Sequence, residues 1–220
     1  MLARFRRFLA GRATGPGGSE AYWSRRYDRG GNSGAGSYGD EAAFKADVLN
    51  RFVADREVTS VIEFGCGDGS QLSLARYPSY CGYDVSERAV AMCSERFRDD
   101  PSKAFRLLRE YSGEQADLAL SLDVIYHLVE DGVFEAHMRT LFGAAERFVA
   151  IFSSNVASRR RLQLGHVRHR AFGGWISDNE PGWALLDHVE SASQRPGSEF
   201  DASFFIYARG TSDLSRSLSA

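Results

Sequence analysis

Residues Val61-Ile62-Glu63-Phe64 run straight into Gly65-Cys66-Gly67-Asp68-Gly69-Ser70. A short apolar run ending in alternate glycines predicts a buried strand with a sharp turn at its end, since glycine alone enters left-handed backbone at little steric cost. The spacing narrows what such a turn can hold. A dinucleotide fingerprint, Gly-x-Gly-x-x-Gly, needs a glycine where this chain has Ser70, and a Walker loop needs a Gly-Lys-Ser/Thr ending that is absent. A nucleoside without a pyrophosphate is the better candidate, with Glu63 or Asp68 available to a positively charged group on it.

Apolar runs and helical patterns alternate along the rest of the chain, which predicts βαβ units and an α/β fold with a mostly parallel sheet. Strands are expected over Val58 to Phe64, Tyr80 to Asp84, Ala104 to Leu108, Asp117 to Asp123, Phe148 to Ser153, Ala184 to Val189 and Ser203 to Ala208. Helices are expected over Glu41 to Ala54, Ser70 to Arg76, Ser86 to Phe97, Asp131 to Ala145 and Arg170 to Ser177. Ser86 suits a helix N-cap, with Glu87 in the first turn favoured by the dipole. The last two strands, with only Ser193 to Glu199 between them, predict an antiparallel hairpin closing the sheet.

A chain of 220 residues with 43% hydrophobic content can bury a substantial core as one domain. Its formal charge of −2 argues against general nucleic-acid affinity. Cys66, Cys81 and Cys93 are odd in number and lack Cys-x-x-Cys spacing, so neither a disulfide framework nor a zinc site is expected, and a reducing, cytoplasmic setting fits. Met1 to Gly11 is amphipathic at helical spacing but too short and charged to span a bilayer; it suits a partner-packed helix better than membrane-surface docking. The expected organisation is an N-terminal helix and glycine-rich segment over residues 1–40, a core over 41–210 and a flexible tail over 211–220, as a monomer or homodimer.

Asp84 ends the predicted second strand one βα unit after the glycines, where an acid can receive both ribose hydroxyls. With that acid in place, the sequence resembles the class I S-adenosylmethionine-dependent methyltransferases from about Ala21 to Arg209. Glu63-Phe64-Gly65-Cys66-Gly67-Asp68-Gly69 is similar to their first motif, Asp84 with Val85 to their ribose-binding position, and Ser121 to Leu128 to their fourth motif, which includes Leu122 and Asp123. The resemblance implies a seven-stranded Rossmann-like sheet with helices on both faces, S-adenosylmethionine as cofactor, in-line transfer of one methyl group and no metal. It also implies adenine contacts from the loop holding Glu110 and Tyr111.

Tyr22-Trp23-Ser24-Arg25-Arg26-Tyr27, followed by glycines 30, 31, 34, 36 and 39, is similar to the opening of small-molecule methyltransferases in which such a segment forms a lid. By that likeness Trp23, Arg26 and Tyr27 are cofactor-binding candidates and Tyr38 a substrate-binding one; a plain flexible linker is the alternative. His127 is the candidate general base, since imidazole titrates near neutrality, with Asp123 and Tyr126 orienting substrate or cofactor. His137 and His188 are expected to be structural. After the fifth strand, Arg159-Arg160-Arg161 and His166, Arg168, His169 and Arg170 concentrate positive charge at the ligand-binding edge. The Arg159 run suits a solvated surface, whereas the second set predicts contact with phosphate or carboxylate.

Together these features are similar to bacterial methyltransferases of surface-polysaccharide and natural-product pathways. They predict O-methylation of a small anionic acceptor. Two alternatives stay open: an RNA methyltransferase, which would use the basic segment for phosphates, and a cofactor-binding protein without chemistry. The chain lacks an RNA-binding appendage and an Asn/Asp-Pro-Pro-Tyr/Phe motif, which counts against the first; the intact glycine turn with Asp84 and His127 counts against the second.

Overall fold

The computed structural model describes residues 18–156, 166–191 and 202–210. The described strands form one sheet: β1 (Val61–Phe64), β2 (Tyr80–Asp84), β3 (Lys103–Leu107), β4 (Ala116–Leu122), β5 (Ala145–Ser153), β6 (Trp183–Glu190) and β7 (Ser203–Arg209). Their order is β3-β2-β1-β4-β5-β7-β6. β1 pairs in parallel with β2 and β4, so the strand order reverses at the end of β1, which is where ligands bind in open α/β sheets. β7 pairs antiparallel with both β5 and β6, placing the expected hairpin with β7 inside and β6 at the edge.

The helices are α1 (Gly18–Asp28), α2 (Gly39–Asp55), α3 (Glu87–Arg96), α4 (Asp131–Ala144) and α5 (Phe172–Asn179). Side chains alternate between two cores along the central strands. Val61, Leu118, Leu120, Phe148 and Phe152 meet Val48, Leu49 and Val53 of α2 on one face. Ile62, Phe64, Ala119, Val149 and Ile151 meet Phe134, Met138 and Leu141 of α4 and Phe172 and Ile176 of α5 on the other. Burial on both faces explains why these strands read as continuous apolar runs.

Ser86 caps α3 as expected, its hydroxyl accepting the Ala89 N–H at 3.2 Å. The helix expected over Ser70 to Arg76 is instead a single 3-10 turn, Leu72–Leu74. Asn50 of α2 explains the difference: its side chain donates to the Leu74 carbonyl and accepts the Arg76 N–H, satisfying backbone groups that a longer helix would have bonded internally. Pro78 then disfavours helical backbone at Tyr77. α4 passes into β5 with no loop between Ala144 and Ala145. The Met1 to Gly11 helix, the Arg159-Arg160-Arg161 run, the Ser193 to Glu199 turn and the tail after Gly210 lie outside the described residues. Among the described residues no helix is long and apolar enough to cross a membrane.

A half-buried polar pair ties α4 to the sheet: His137 Nε2 lies 2.9 Å from Ser121 Oγ on β4. Burial pulls the imidazole down from 6.5 to about 4. Between those values the unfolded chain holds a proton that the folded chain does not, so His137 makes stability rise with pH across that window. His137→Gln removes this titration and should flatten the increase in urea-unfolding free energy between about pH 4.5 and pH 7. An unchanged slope would show that the ring titrates normally in the fold.

Candidate functional site

The turn after β1 is built from backbone held at close range. Gly65 and Cys66 both donate their N–H to the Tyr83 carbonyl, at 2.7 and 3.1 Å, and Gly67 donates to Asp84 Oδ2 at 3.0 Å. Gly65 and Gly67 have φ of 96° and 60°, the left-handed region that side chains avoid. A Cβ on Gly65 would lie 2.4 Å from Val124 Cγ2, and one on Gly67 2.4 Å from Ser33 Oγ. Glycine is therefore required twice over. Asp84 is buried at the end of β2 and also accepts the Ser86 N–H at 2.9 Å; burial outweighs these bonds and raises its carboxyl above the usual range.

These groups border a cavity of about 440 Å³, within the range of small-ligand sites. Of the candidates from sequence, Glu63, Gly65, Cys66, Gly67, Asp84, Val85, Leu122, Asp123 and His127 line it, and so do Trp23 and Tyr27 from α1. Glu63 is fully enclosed; burial pushes its carboxyl up to about 7, against the opposing hydrogen bond from the Tyr80 hydroxyl at 2.5 Å.

Other candidates support the wall from behind. Asp68 holds the glycine-rich segment: its Oδ2 accepts the Ser33 N–H at 3.0 Å and the Tyr38 hydroxyl at 2.6 Å, and its Oδ1 accepts the Ser70 N–H. Burial alone would raise this carboxyl, but those hydrogen bonds prevail and hold it below the usual carboxylate range. Gly69 completes the turn against Phe97 and Cys93. Arg26 lies over Trp23 and donates to the Asn32 carbonyl. Tyr126 donates its hydroxyl to Asp123 Oδ1 at 2.8 Å.

The structure places two groups of candidates away from the cavity wall. Glu110 turns back to accept the Leu107 N–H, and Tyr111 packs edge-on against Phe64 and Tyr83, so Leu108 is the residue of that loop that lines the cavity. Arg168 and Arg170 both pair with Asp131 Oδ1, at 2.9 and 2.6 Å, and donate to the Val129 carbonyl; Arg170 also reaches the Leu128 carbonyl. Their charge braces the loop before α4. His169 Nδ1 lies 2.6 Å from Ser154 Oγ, and His166 stacks on Tyr22 at 4.3 Å. The sequence could not show this, because Asp131 lies 37 or more positions from its partners.

His127 sits against the edges of Trp23 and Tyr126, with centroids at 4.7 and 4.5 Å. Its Nδ1 is 3.1 Å from the His166 carbonyl, an acceptor, which fixes the proton on Nδ1 and leaves Nε2 with a free lone pair. Burial lowers this imidazole to about 4, so it is neutral at physiological pH. Residues that sequence reasoning missed include Ser33, Ser37, Gln71 and Lys45, all on the cavity wall. Lys45 carried a signal: it falls among Ala42, Ala46 and Leu49, on the apolar stripe of α2.

A methyltransferase-domain family matches residues 38–177. The chain belongs to that family. No curated protein sequence matches this methyltransferase. Among solved structures it is similar to the N-methyltransferase NodS from Bradyrhizobium japonicum WM9 in complex with S-adenosylhomocysteine, at 15% identity and TM-score 0.67, covering 88% of this chain and 99% of that one. Magnesium protoporphyrin IX methyltransferase (ChlM) from Synechocystis PCC 6803 with bound S-adenosylmethionine is 17% identical, with TM-score 0.62 over 87% of this chain and 97% of that one. An S-adenosylmethionine-dependent methyltransferase from Clostridium acetobutylicum ATCC 824 is 9% identical, with TM-score 0.59 over 87% and 98%. At such identities the likeness is one of fold.

S-adenosylmethionine is the cofactor of the methyltransferase, and the residues present fit it. The glycine turn brings backbone to the cavity wall, Asp84 retains lone pairs for two ribose hydroxyls, and Val85 and Leu108 offer apolar surface to a base. Asp68→Ala removes the acceptor for Ser33 and Tyr38, a loss of about 1.5–3 kcal/mol for bonds to a charged group. Trypsin cleavage after Arg29 should accelerate roughly tenfold or more, with little change in global unfolding. An unaltered cleavage rate would mean that other contacts hold the segment.

Proposed function

We propose that the methyltransferase transfers its methyl group to a hydroxyl oxygen of a small acceptor, with His127 receiving the hydroxyl proton. The orientation of His127 carries this assignment. Its Nδ1 proton is committed to the His166 carbonyl, so the only open position on the ring is an acceptor on the cavity wall. Bound S-adenosylmethionine supplies a methyl group already activated by the sulfonium, which leaves the protein to align the nucleophile and remove its proton. A base at about 4 is adequate for that task. An alcohol oxygen becomes strongly acidic as it gains a methyl group, so even a weak base accepts its proton.

α1 and the segment to Gly39 act as the lid over this site, with Trp23 and Tyr27 on its inner surface. Tyr22, His166 and His127 form a stacked aromatic wall beside it. Arg168 and Arg170 are engaged by Asp131, so what the site reads on the acceptor is its hydroxyl and not an anionic group.

A panel of small alcohols, phenols and amines incubated with S-adenosylmethionine labelled at the methyl group tests the assignment; labelled methyl ethers are expected, and methylated products confined to the amines would overturn it. On the acceptor so found, His127→Ala should lower turnover about 10²- to 10⁴-fold with little change in S-adenosylhomocysteine affinity. The ratio of wild-type to His127→Ala turnover, which cancels the titration of Glu63 on the same wall, should stay level from neutral pH downward and fall only toward pH about 4, where the imidazole takes a proton. A variant that keeps full turnover would remove His127 from the chemistry.

A further inference from the structure

Lys45 has one of the least exposed side chains in the protein, at 1% accessibility, yet it carries an ammonium and borders the cavity. It donates to Asp123 Oδ2 and sits 5.1 Å from the centre of the Phe152 ring. An ammonium has three N–H donors, and Asp123 is its one acceptor among the described residues. Burying a charge with donors unspent is costly unless a ligand completes the shell.

Gln71 presents the complementary deficit on the same wall. Its Nε2 donates to the Ala42 carbonyl at 3.1 Å, and since that carbonyl can only accept, the amide orientation is fixed. Oε1 is then left buried with no partner. Ala42 and Lys45 are neighbours on one face of α2, so the helix holds both the spare donors and the spare acceptor beside the cavity. Their place in the sheet fixes what can meet them. β1 lies between β2 and β4; a ligand whose ribose meets Asp84 at the end of β2 extends across the glycine turn toward Asp123 at the end of β4, where Lys45 sits.

We propose that Lys45 and Gln71 recognise the amino-acid tail of the cofactor, Lys45 donating to its carboxylate and Gln71 Oε1 accepting from its ammonium. The pair then selects nucleosides that carry a zwitterionic tail over those that do not. Asp123 acts as the positioning residue for Lys45. It is held in left-handed backbone at φ 59° by the Tyr126 hydroxyl and by its own N–H to the Phe152 carbonyl.

The inference rests on S-adenosylmethionine being the cofactor, and calorimetry with two nucleosides separates the two claims. S-adenosylhomocysteine carries the tail, and 5′-methylthioadenosine lacks its amine and carboxylate. Wild-type protein that binds neither would overturn the cofactor assignment and this proposal with it; wild-type protein that binds both equally would overturn this proposal alone. Lys45→Met should weaken S-adenosylhomocysteine about 10- to 100-fold, as expected for hydrogen bonds to charged groups, and change 5′-methylthioadenosine by less than about threefold. Gln71→Leu, which leaves the Lys45–Asp123 pair intact, should weaken S-adenosylhomocysteine about fivefold or more with the same insensitivity to 5′-methylthioadenosine. Equal losses for the two ligands, or no loss, in Gln71→Leu would overturn the proposal even if Lys45→Met fails to fold.

Discussion

The hydrogen bond from Gly67 N–H to the Asp84 carboxylate joins the turn after β1 to the end of β2, and the site depends on it. Gly67 can make this bond only because its backbone is left-handed, and it can stay there only because it has no side chain to strike Ser33. Asp84 in turn is fixed by the Ser86 N–H, and Ser86 starts α3 by capping Ala89. One carboxylate thus sets the path of the glycine turn and the start of the following helix. It does so while buried, where an acceptor left without donors would be costly.

The same device recurs around the cavity. Asp68 gathers Ser33, Tyr38 and Ser70; Glu130 accepts the N–H and hydroxyl of Ser19 at the start of α1; Asp131 gathers Arg168 and Arg170; and Asp123 gathers Lys45 and Tyr126. Each links segments far apart in sequence, and each lies near the carboxyl edge of the sheet, where loops carry function on a rigid frame. Charge-assisted bonds suit this position. They hold a loop in a defined place without requiring a large apolar surface of it.

The fold was legible in the sequence because its signal is local: central strands buried on both faces appear as apolar runs, and Ser86 marks a helix start. The short turn Leu72–Leu74 was not, because the residue that shortens it, Asn50, lies on another helix. The turn after β1 was legible for a similar reason, since Gly65, Gly67 and Asp84 are dictated by backbone geometry that few residue types satisfy. Arg168 and Arg170 show the opposite case. Their composition signals anion binding, but a fork that suits a phosphate suits a carboxylate of the same chain equally well, and only the fold brings Asp131 to them. Glu110 is a similar case, its carboxylate turned to the Leu107 amide.

The balance of charge on the cavity wall follows from these placements. Glu63, Asp84 and Asp123 line it with Lys45 as the one buried cation among them. Glu63 is raised to about 7 and Asp84 above its usual range, because burial resists charge and the neighbouring carboxylates add to that resistance. A wall in this state is short of positive charge, and a ligand bearing a sulfonium and an ammonium relieves it. Loss of the methyl group takes away the sulfonium charge, and with it part of the attraction. That attraction fades in the transition state as the sulfonium loses its charge, so it serves to hold the donor and leaves the acceleration to alignment of the nucleophile.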